Sequence, residues 1–255
     1  MKIVANIQAR MSSSRLPKKV LLKIGKELVL ERIINRLNYC RYIDEILVAT
    51  SVCESDNCIS KYCESAKISC FRGSLDDVLD RYYQAAKMCS ADAVVRITGD
   101  CPLIDPVVVD KVIDHFICGE FDAVGLHGEF PDGLDCQVFS FSAIKKAWCE
   151  ATSDTDREHV GSFIENTSPH LFKLGTVEIF KNLGHHRWTL DEPCDLEYLK
   201  LLIEGLEESK QLFLSEDVLK FLEQNKHLMK INGAITRNEG YLLSKERESL
   251  NEKNL

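Results

Sequence analysis

The chain has 255 residues, of which 45% are hydrophobic, and its formal net charge is −8 at pH 7. A chain of this length can bury a substantial core in one large domain, and its negative charge argues against nucleic-acid binding, because such proteins are usually basic. No apolar run reaches the roughly 18 residues of a membrane-spanning helix, and the start at Met1 has no signal-peptide pattern, so we expect a cytoplasmic protein with no membrane partner.

Apolar runs in the first part of the chain alternate with helical patterns. The predicted strands are residues 3–7, 46–50, 68–71 and 93–98. A capping-box-like sequence starting at Ser74 predicts a helix, and Asp105 followed by Pro106 is typical of a second helix start. This β-α-β-α order predicts an α/β fold with a largely parallel, doubly wound sheet.

The second part of the chain is less regular. Short strands are expected within residues 122–141 around a Pro-Asp-Gly turn, and Ser215 is expected to cap the last clear helix. Further elements are predicted as helices at 142–152, 156–166 and 196–206 and a strand at 171–180. We therefore expect one domain over residues 1–243, with an inserted acceptor or dimerisation subdomain around 127–180, and a charged, frayed tail over 244–255.

Eleven cysteines are spread along the chain, and no Cys-x-x-Cys pair occurs among them. That absence weakens a zinc or iron–sulfur interpretation. Cys63 lies in an apolar helical stripe with Ile59, so we expect the cysteines to be buried thiols. The pair His185 and His186 lacks ligand spacing, and we predict no metal there.

The turn after the first predicted strand carries the most informative motif, Arg-Met-Ser-Ser-Ser-Arg-Leu-Pro-Lys-Lys over residues 10–19. Ligands bind outside the carboxyl ends of strands in open α/β sheets. Hydroxyl groups, backbone N–H groups and fixed positive charges together suit a polyphosphate. Arg10, Arg15 and Lys19 are therefore candidate triphosphate-binding residues, whereas Lys18 and Lys19 taken alone would fit a solvated face.

Two carboxylates from distant parts of the chain are candidate Mg²⁺ ligands. Asp100 follows the predicted strand 93–98, and Asp191 ends another predicted strand. Mg²⁺ usually takes one or two protein carboxylates together with substrate phosphates. Taken alone, Asp100 would rather be a turn residue, and Asp195 is interpreted as a charge at a helix start.

Two weaker motifs suggest contacts with other parts of a substrate. Gly73 and Ser74 precede a predicted helix and could meet a base or ribose, although a plain helix cap explains them as well. Polar residues at 131–135 could face an acceptor. His159 could act as a base or could serve only packing.

In combination, these motifs resemble the cytidylyltransferases of the spore-coat polysaccharide type. That family is similar in turn to the enzymes that make CMP-3-deoxy-manno-octulosonate and CMP-sialic acids. The resemblance reaches to about residue 245 and follows the family's motif order. The segments that carry it are residues 8–21, 71–83, 96–106, 131–135, 157–160, 191–196 and 237–241.

The resemblance implies a three-layer, Rossmann-like nucleotide-diphospho-sugar transferase fold of the glycosyltransferase-A kind, with a mostly parallel mixed sheet. It implies transfer of CMP from CTP to an acidic sugar or related acceptor, with release of pyrophosphate, Mg²⁺ as cofactor and a homodimer. By motif match, Arg15, Lys19 and Asp100 would be catalytic, and Asp100 and Asp191 would bind Mg²⁺. The implied nucleotide-binding residues are Ala9, Arg10, Ser13, Arg15, Lys19, Gly73, Ser74, Arg96 and Thr98.

Some positions depart from the family pattern. Relatives often have glycine where Ser12 and Lys18 stand, and Arg96 and Thr98 replace the Asn and Gln common in the octulosonate enzymes. The acceptor therefore stays open, and a sugar phosphate, polyol phosphate or phosphonate is an alternative. Two other function classes remain: a glycosyltransferase of the same fold, although the Asp-x-Asp motif is absent at Asp100, and a non-catalytic nucleotide-binding protein.

Overall fold

The computed structural model describes residues 1–210, 212–235 and 237, so residues 238–241 of the resemblance and the tail over 244–255 lie outside the described residues. The strands are β1 (Ile3–Gln8), β2 (Lys23–Ile24), β3 (Glu27–Leu28), β4 (Glu45–Ser51), β5 (Ser69–Gly73), β6 (Ala93–Thr98), β7 (Ala123–Leu126), β8 (Gln137–Ser140) and β9 (Leu174–Val177). The helices are α1 (Val29–Leu37), α2 (Asn57–Ala66), α3 (Val78–Met88), α4 (Pro106–Gly119), α5 (Phe141–Glu150), α6 (Asp154–Glu158), α7 (Pro193–Glu207) and α8 (Ser215–Gln224).

One seven-stranded sheet organises the fold, with the strand order β5-β4-β1-β6-β8-β7-β9. The strands β5, β4, β1 and β6 are parallel, and β8 runs antiparallel to both β6 and β7. The edge strand β9 pairs in parallel with β7, and β2 and β3 form a separate hairpin. The sheet is therefore mixed and mostly parallel, and the predicted fold class is confirmed.

Helices cover both faces of this sheet and make three layers. One hydrophobic cluster contains residues of α1, α4 and α7, and the other contains residues of α3 and α5. Alternate residues of β6 divide between the two, because successive side chains of a strand point to opposite faces. Val95 and Ile97 belong to the first cluster and Val94 to the second, while Arg96 and Thr98 continue the second face as partly exposed polar residues.

Most predicted elements are present, but two helix starts were wrong. The Ser74 hydroxyl accepts the N–H of Asp77 in a turn, and α3 begins only at Val78 with Asp77 as its cap. Ser215 is the first residue of α8 rather than its cap, and its hydroxyl donates to Asp105 at 2.6 Å. Ser74 therefore makes a cap-like bond one turn before α3, whereas Ser215 binds Asp105 instead of capping α8.

Two elements of the second part are shorter than expected. The helical pattern at 156–166 divides into the end of α6 and a π-helical turn, Phe163–Thr167. The strand expected at 171–180 is only β9, because the 3₁₀ turn Pro169–Leu171 precedes it. Both β8 and β9 belong to the main sheet, and the role of residues 127–180 in acceptor binding or dimerisation stays a prediction.

The cysteines are less uniformly buried than expected. Five are buried, four are partly buried, and Cys118 and Cys149 are exposed; all are free thiols. Within the part of the chain that the structure describes, no three His, Cys, Asp or Glu side chains form a group that could hold a metal ion. No helix of that part is both long enough and apolar enough to cross a membrane.

Lys18 occupies a backbone conformation that suits glycine. Its φ is +65°, in the left-handed region, which is unfavourable for a residue with a Cβ atom. We therefore expect Lys18→Gly to raise the free energy of unfolding by about 0.5–1 kcal/mol in chemical denaturation. The matched control is Lys23→Gly in β2, where glycine should destabilise the strand; equal losses in both variants would contradict the prediction.

Candidate active site

A cavity of about 220 Å³ opens at the carboxyl ends of β1 and β6. It contains eight of the eleven predicted site residues, from three distant parts of the chain. They are Arg10, Ser13, Arg15, Lys19, Arg96, Thr98, Asp100 and Asp191. Gln8, Ser14, Val20 and Gly99 complete the lining.

The turn after β1 is held in place by Asp56, which was not predicted as a site residue. This buried carboxylate accepts the N–H of Met11 at 2.8 Å and the hydroxyl of Ser51 at 2.5 Å. The N–H of Lys18 donates to the carbonyl of Met11 at 3.0 Å and closes the loop. The cationic residues of the turn therefore project from a backbone that is fixed at both ends.

Lys19 lies between the two candidate metal ligands. Its Nζ is 2.6 Å from Oδ2 of Asp100 and 2.6 Å from Oδ1 of Asp191. Burial by itself would lower the pKa of Lys19 and raise that of Asp100. The attraction between the groups outweighs burial, so the pKa of Lys19 is raised and that of Asp100 is lowered. Lys19 and Asp100 are therefore both charged at neutral pH.

The backbone joins these carboxylates across a long sequence separation. The N–H of Leu190 donates to the carbonyl of Asp100 at 2.8 Å, and the hydroxyl of Thr189 reaches the same carbonyl at 3.4 Å. Asp191 follows directly in the chain. The side chain of Asp191 therefore lies beside that of Asp100, and both contact the ammonium group of Lys19.

Asp191 also has two arginine neighbours. Nη2 of Arg15 is 3.6 Å from Oδ1 of Asp191, and Nη2 of Arg187 is 3.6 Å from Oδ2 of Asp191. Arg15 additionally pairs with Glu192 at 3.3 Å. The carboxylate of Asp191 thus lies among three cations, Lys19, Arg15 and Arg187.

Beneath Asp191 lies a buried polar network that the sequence did not reveal. Arg187 donates to both oxygens of Asp195 at 2.9 Å, and Asn232 donates to Asp195 at 2.9 Å. Asp195 also accepts the N–H groups of Asp191 and Glu192 at the start of α7, each at 2.9 Å. The interpretation of Asp195 as a helix-start charge is confirmed, and it also fixes the backbone of Asp191.

The donor set of Asp100 and Asp191 fits a divalent cation that is also bound by phosphate. Both carboxylates already converge on one cation, the ammonium group of Lys19. Mg²⁺ prefers oxygen ligands and usually takes few carboxylates, completing its shell with water and phosphate. The chemistry of this pair therefore meets that requirement.

The other three predicted site residues do not line the cavity. Ala9 is buried, and its N–H donates to the carbonyl of Ala49 at 3.1 Å. Gly73 ends β5, where an added Cβ would lie 2.9 Å from the ring of Phe71 and 3.2 Å from Arg81. Ser74 caps a local turn, so its role at a base or ribose stays a prediction.

A second cavity of about 480 Å³ lies over β7 and β8 and shares Arg96 with the first. Arg96 and Gln137 face each other in the pairing of β6 with β8, and Nη1 of Arg96 donates to Oε1 of Gln137 at 2.9 Å. Nε2 of Gln137 donates to both oxygens of Glu165 at 2.7 Å. Burial raises the pKa of Glu165. His159 also lines this cavity.

The pair His185 and His186 was predicted not to bind metal. In the structure, the two rings pack together beside Trp188. The rings of His185 and His186 are 4.3 Å apart, and His186 lies 5.7 Å from the ring of Trp188. Burial, with a smaller contribution from His185, lowers the pKa of His186 to about 4. His186 is therefore a neutral packing residue at physiological pH.

Comparison with known proteins gives a consistent result along the chain. Residues 4–231 match the family model described as cytidylyltransferase. The chain is 31% identical over 227 residues to the spore coat polysaccharide biosynthesis protein SpsF of Bacillus subtilis, which covers 86% of this chain and 93% of that protein. It is 32% identical over 114 residues to a 3-deoxy-manno-octulosonate cytidylyltransferase of Solibacter usitatus, which covers 44% of each.

The solved structures agree with the sequence comparisons. A cytidylyltransferase from Leptospira borgpetersenii is similar with a TM-score of 0.81 and 30% sequence identity. The match covers 92% of this chain and 98% of that one. The similarity therefore extends over most of the length of both chains.

Proposed function

This chain belongs to the cytidylyltransferase family and is a CTP-dependent nucleotidyltransferase, and we propose that it transfers CMP to an acidic sugar or related acceptor for surface polysaccharide or glycan biosynthesis. The observation that carries the proposal is the convergence of Arg15, Lys19, Asp100 and Asp191 on one cavity. Cationic side chains and paired carboxylates are what a metal-bound triphosphate requires.

The triphosphate would lie against the turn after β1. Arg10, Arg15 and Lys19 would neutralise its charge, and Ser13 would add a hydroxyl donor. A hydroxyl or phosphate oxygen of the acceptor attacks the α-phosphorus in line, and the bond between the α-phosphorus and the oxygen that bridges to the β-phosphorus breaks. Pyrophosphate leaves, and a hydroxyl acceptor releases its proton to water. Positioning and charge neutralisation provide most of the catalysis in such transfers, and both would come from this turn.

Asp100 and Asp191 would hold Mg²⁺, which when bound supplies a positive charge that polarises a phosphoryl oxygen. Asp100 and Asp191 themselves contribute two carboxylate groups that are directed at one point. The hydrogen bonds from Leu190 and Thr189 to the carbonyl of Asp100 support that arrangement.

The second cavity is the proposed acceptor site. It meets the first cavity at Arg96, so an acceptor there would lie beside the triphosphate. Arg96 would bind an anionic group of the acceptor, and Gln137 holds its guanidinium towards the cavity. The family resemblance implies that Asn is common at this position in the octulosonate enzymes, so Arg96 is where we expect acceptor preference to differ.

Pyrophosphate release tests the proposal. The protein is mixed with CTP, Mg²⁺ and a panel of 3-deoxy-manno-octulosonate, nine-carbon acidic sugars, sugar phosphates, polyol phosphates and phosphonates, with UTP in place of CTP as the base control. We expect pyrophosphate and a CMP-linked product with at least one acidic acceptor. Transfer of sugar from a nucleotide sugar would favour the glycosyltransferase alternative, and CTP binding without turnover would favour a non-catalytic protein. We also propose a homodimer in the cytoplasm, which light scattering and cell fractionation would test.

Asp100→Asn is expected to raise the Mg²⁺ concentration needed for half-maximal pyrophosphate release by roughly tenfold or more. The amide retains an oxygen ligand but loses the negative charge. Asp114→Asn on the surface of α4, where the carboxylate accepts the hydroxyl of Tyr42 at 2.9 Å, is the matched control. An unchanged Mg²⁺ titration in Asp100→Asn would exclude Asp100 as a ligand.

A further inference from the structure

The ammonium group of Lys19 occupies the point at which the two candidate metal ligands converge. Nζ is 2.6 Å from a carboxylate oxygen of Asp100 and 2.6 Å from one of Asp191. The Lys19 side chain is only 11% exposed. The two carboxylates therefore have a cation of the chain itself between them.

Cationic side chains of the chain itself contact both carboxylates. Lys19 contacts both carboxylates, and Asp191 has further contacts with Arg15 and Arg187 at 3.6 Å each. A divalent ion that enters this arrangement meets an ammonium group at its own binding position. Coulomb repulsion between the two cations is strong at such distances in a partly buried site.

An arriving triphosphate changes these contacts. Lys19 has a flexible four-carbon side chain with a compact charge, and it lines the same cavity as Arg10, Ser13 and Arg15. When its ammonium group turns from the carboxylates to the phosphates, Asp100 and Asp191 become available to another cation. The negative charge of the phosphates further favours a cation there.

We propose that Lys19 is the resident counter-cation of the metal site, so that the divalent ion enters together with the nucleotide and not before it. The inference rests on the proposed function, because it takes CTP and a divalent ion as the ligands. It makes the two ligands thermodynamically coupled: each tightens the binding of the other by the same factor.

Binding of Mn²⁺ in the absence of nucleotide provides the test, measured by electron paramagnetic resonance or calorimetry. We expect Lys19→Gln to bind Mn²⁺ at least tenfold more tightly than the wild type. Lys18→Gln, an exposed neighbour outside the cavity, is the control and should match the wild type. Lys19→Arg, which keeps a cation, should bind Mn²⁺ as weakly as the wild type. The double variant with Asp191→Asn and Lys19→Gln should lose the tighter Mn²⁺ binding of Lys19→Gln.

A second measurement uses the unaltered protein. After correction for the binding of Mn²⁺ to CTP in solution, CTP should tighten the binding of Mn²⁺ to the wild type at least tenfold. In Lys19→Gln, CTP should tighten the binding of Mn²⁺ much less. Equal Mn²⁺ affinity of wild type and Lys19→Gln without nucleotide, or tight Mn²⁺ binding to the wild type that CTP does not improve, would overturn the inference. Failure of the wild type to bind CTP with or without Mn²⁺ would instead count against the proposed function.

Discussion

Lys19→Ala is expected to reduce turnover by about 10²- to 10³-fold, the loss seen when a group that stabilises transition-state charge is removed. The ammonium group is the cation nearest to both Asp100 and Asp191, and it would neutralise charge on the departing pyrophosphate. Pyrophosphate release with the acceptor that the panel identifies measures the effect. Thermal unfolding should show an intact fold, because Arg15 and Arg187 still neutralise Asp191.

The matched control for this prediction is Lys18→Ala. Lys18 is adjacent in sequence and equally charged, yet it is exposed and does not line the cavity. Its loss should change turnover by less than about twofold, as expected for a surface charge. Near-normal turnover in Lys19→Ala, or an equal loss in both variants, would contradict the catalytic assignment of Lys19.

The parts of the site that depend on local pattern could be predicted from the sequence. The apolar run of β1 and the charged turn after it identified Arg10, Arg15 and Lys19 as neighbours at a strand end. The left-handed φ of Lys18 likewise agrees with the glycine that the family resemblance implies at this position. These features involve residues that are close in sequence, where backbone geometry restricts the possibilities.

Contacts between distant residues could not be predicted in the same way. Asp56 holds the turn after β1, and Asn232 supports Asp195, yet neither has a characteristic neighbouring motif. The pairing of Arg96 with Gln137 depends on the register between β6 and β8, which a single sequence does not specify. The sequence predicted which charged groups line the cavity, whereas only the fold showed which groups hold them in position.

Asp195→Ala is expected to lower the free energy of unfolding by about 3–5 kcal/mol, because it leaves the buried guanidinium of Arg187 without its main partner. The same change removes the acceptor for two backbone N–H groups at the start of α7. Thermal and chemical denaturation measure the loss, and the melting temperature should fall by roughly 10 °C or more. At temperatures where the Asp195→Ala variant is still folded, it should need a higher Mg²⁺ concentration for half-maximal pyrophosphate release, since Asp195 fixes the backbone of Asp191.

Asp217→Ala separates the cost of the buried charge from that of helix capping. Asp217 caps the start of α8 by accepting the N–H of Leu214 at 2.9 Å, but its ionic partner is the exposed Lys210. Removal of this carboxylate should cost only about 1 kcal/mol, as for other surface caps. If Asp195→Ala cost no more than Asp217→Ala, the ion pair with Arg187 would contribute little. The stability of the site would then have to come from the hydrogen bonds that join residues 189–190 to Asp100 and from the packing of α7.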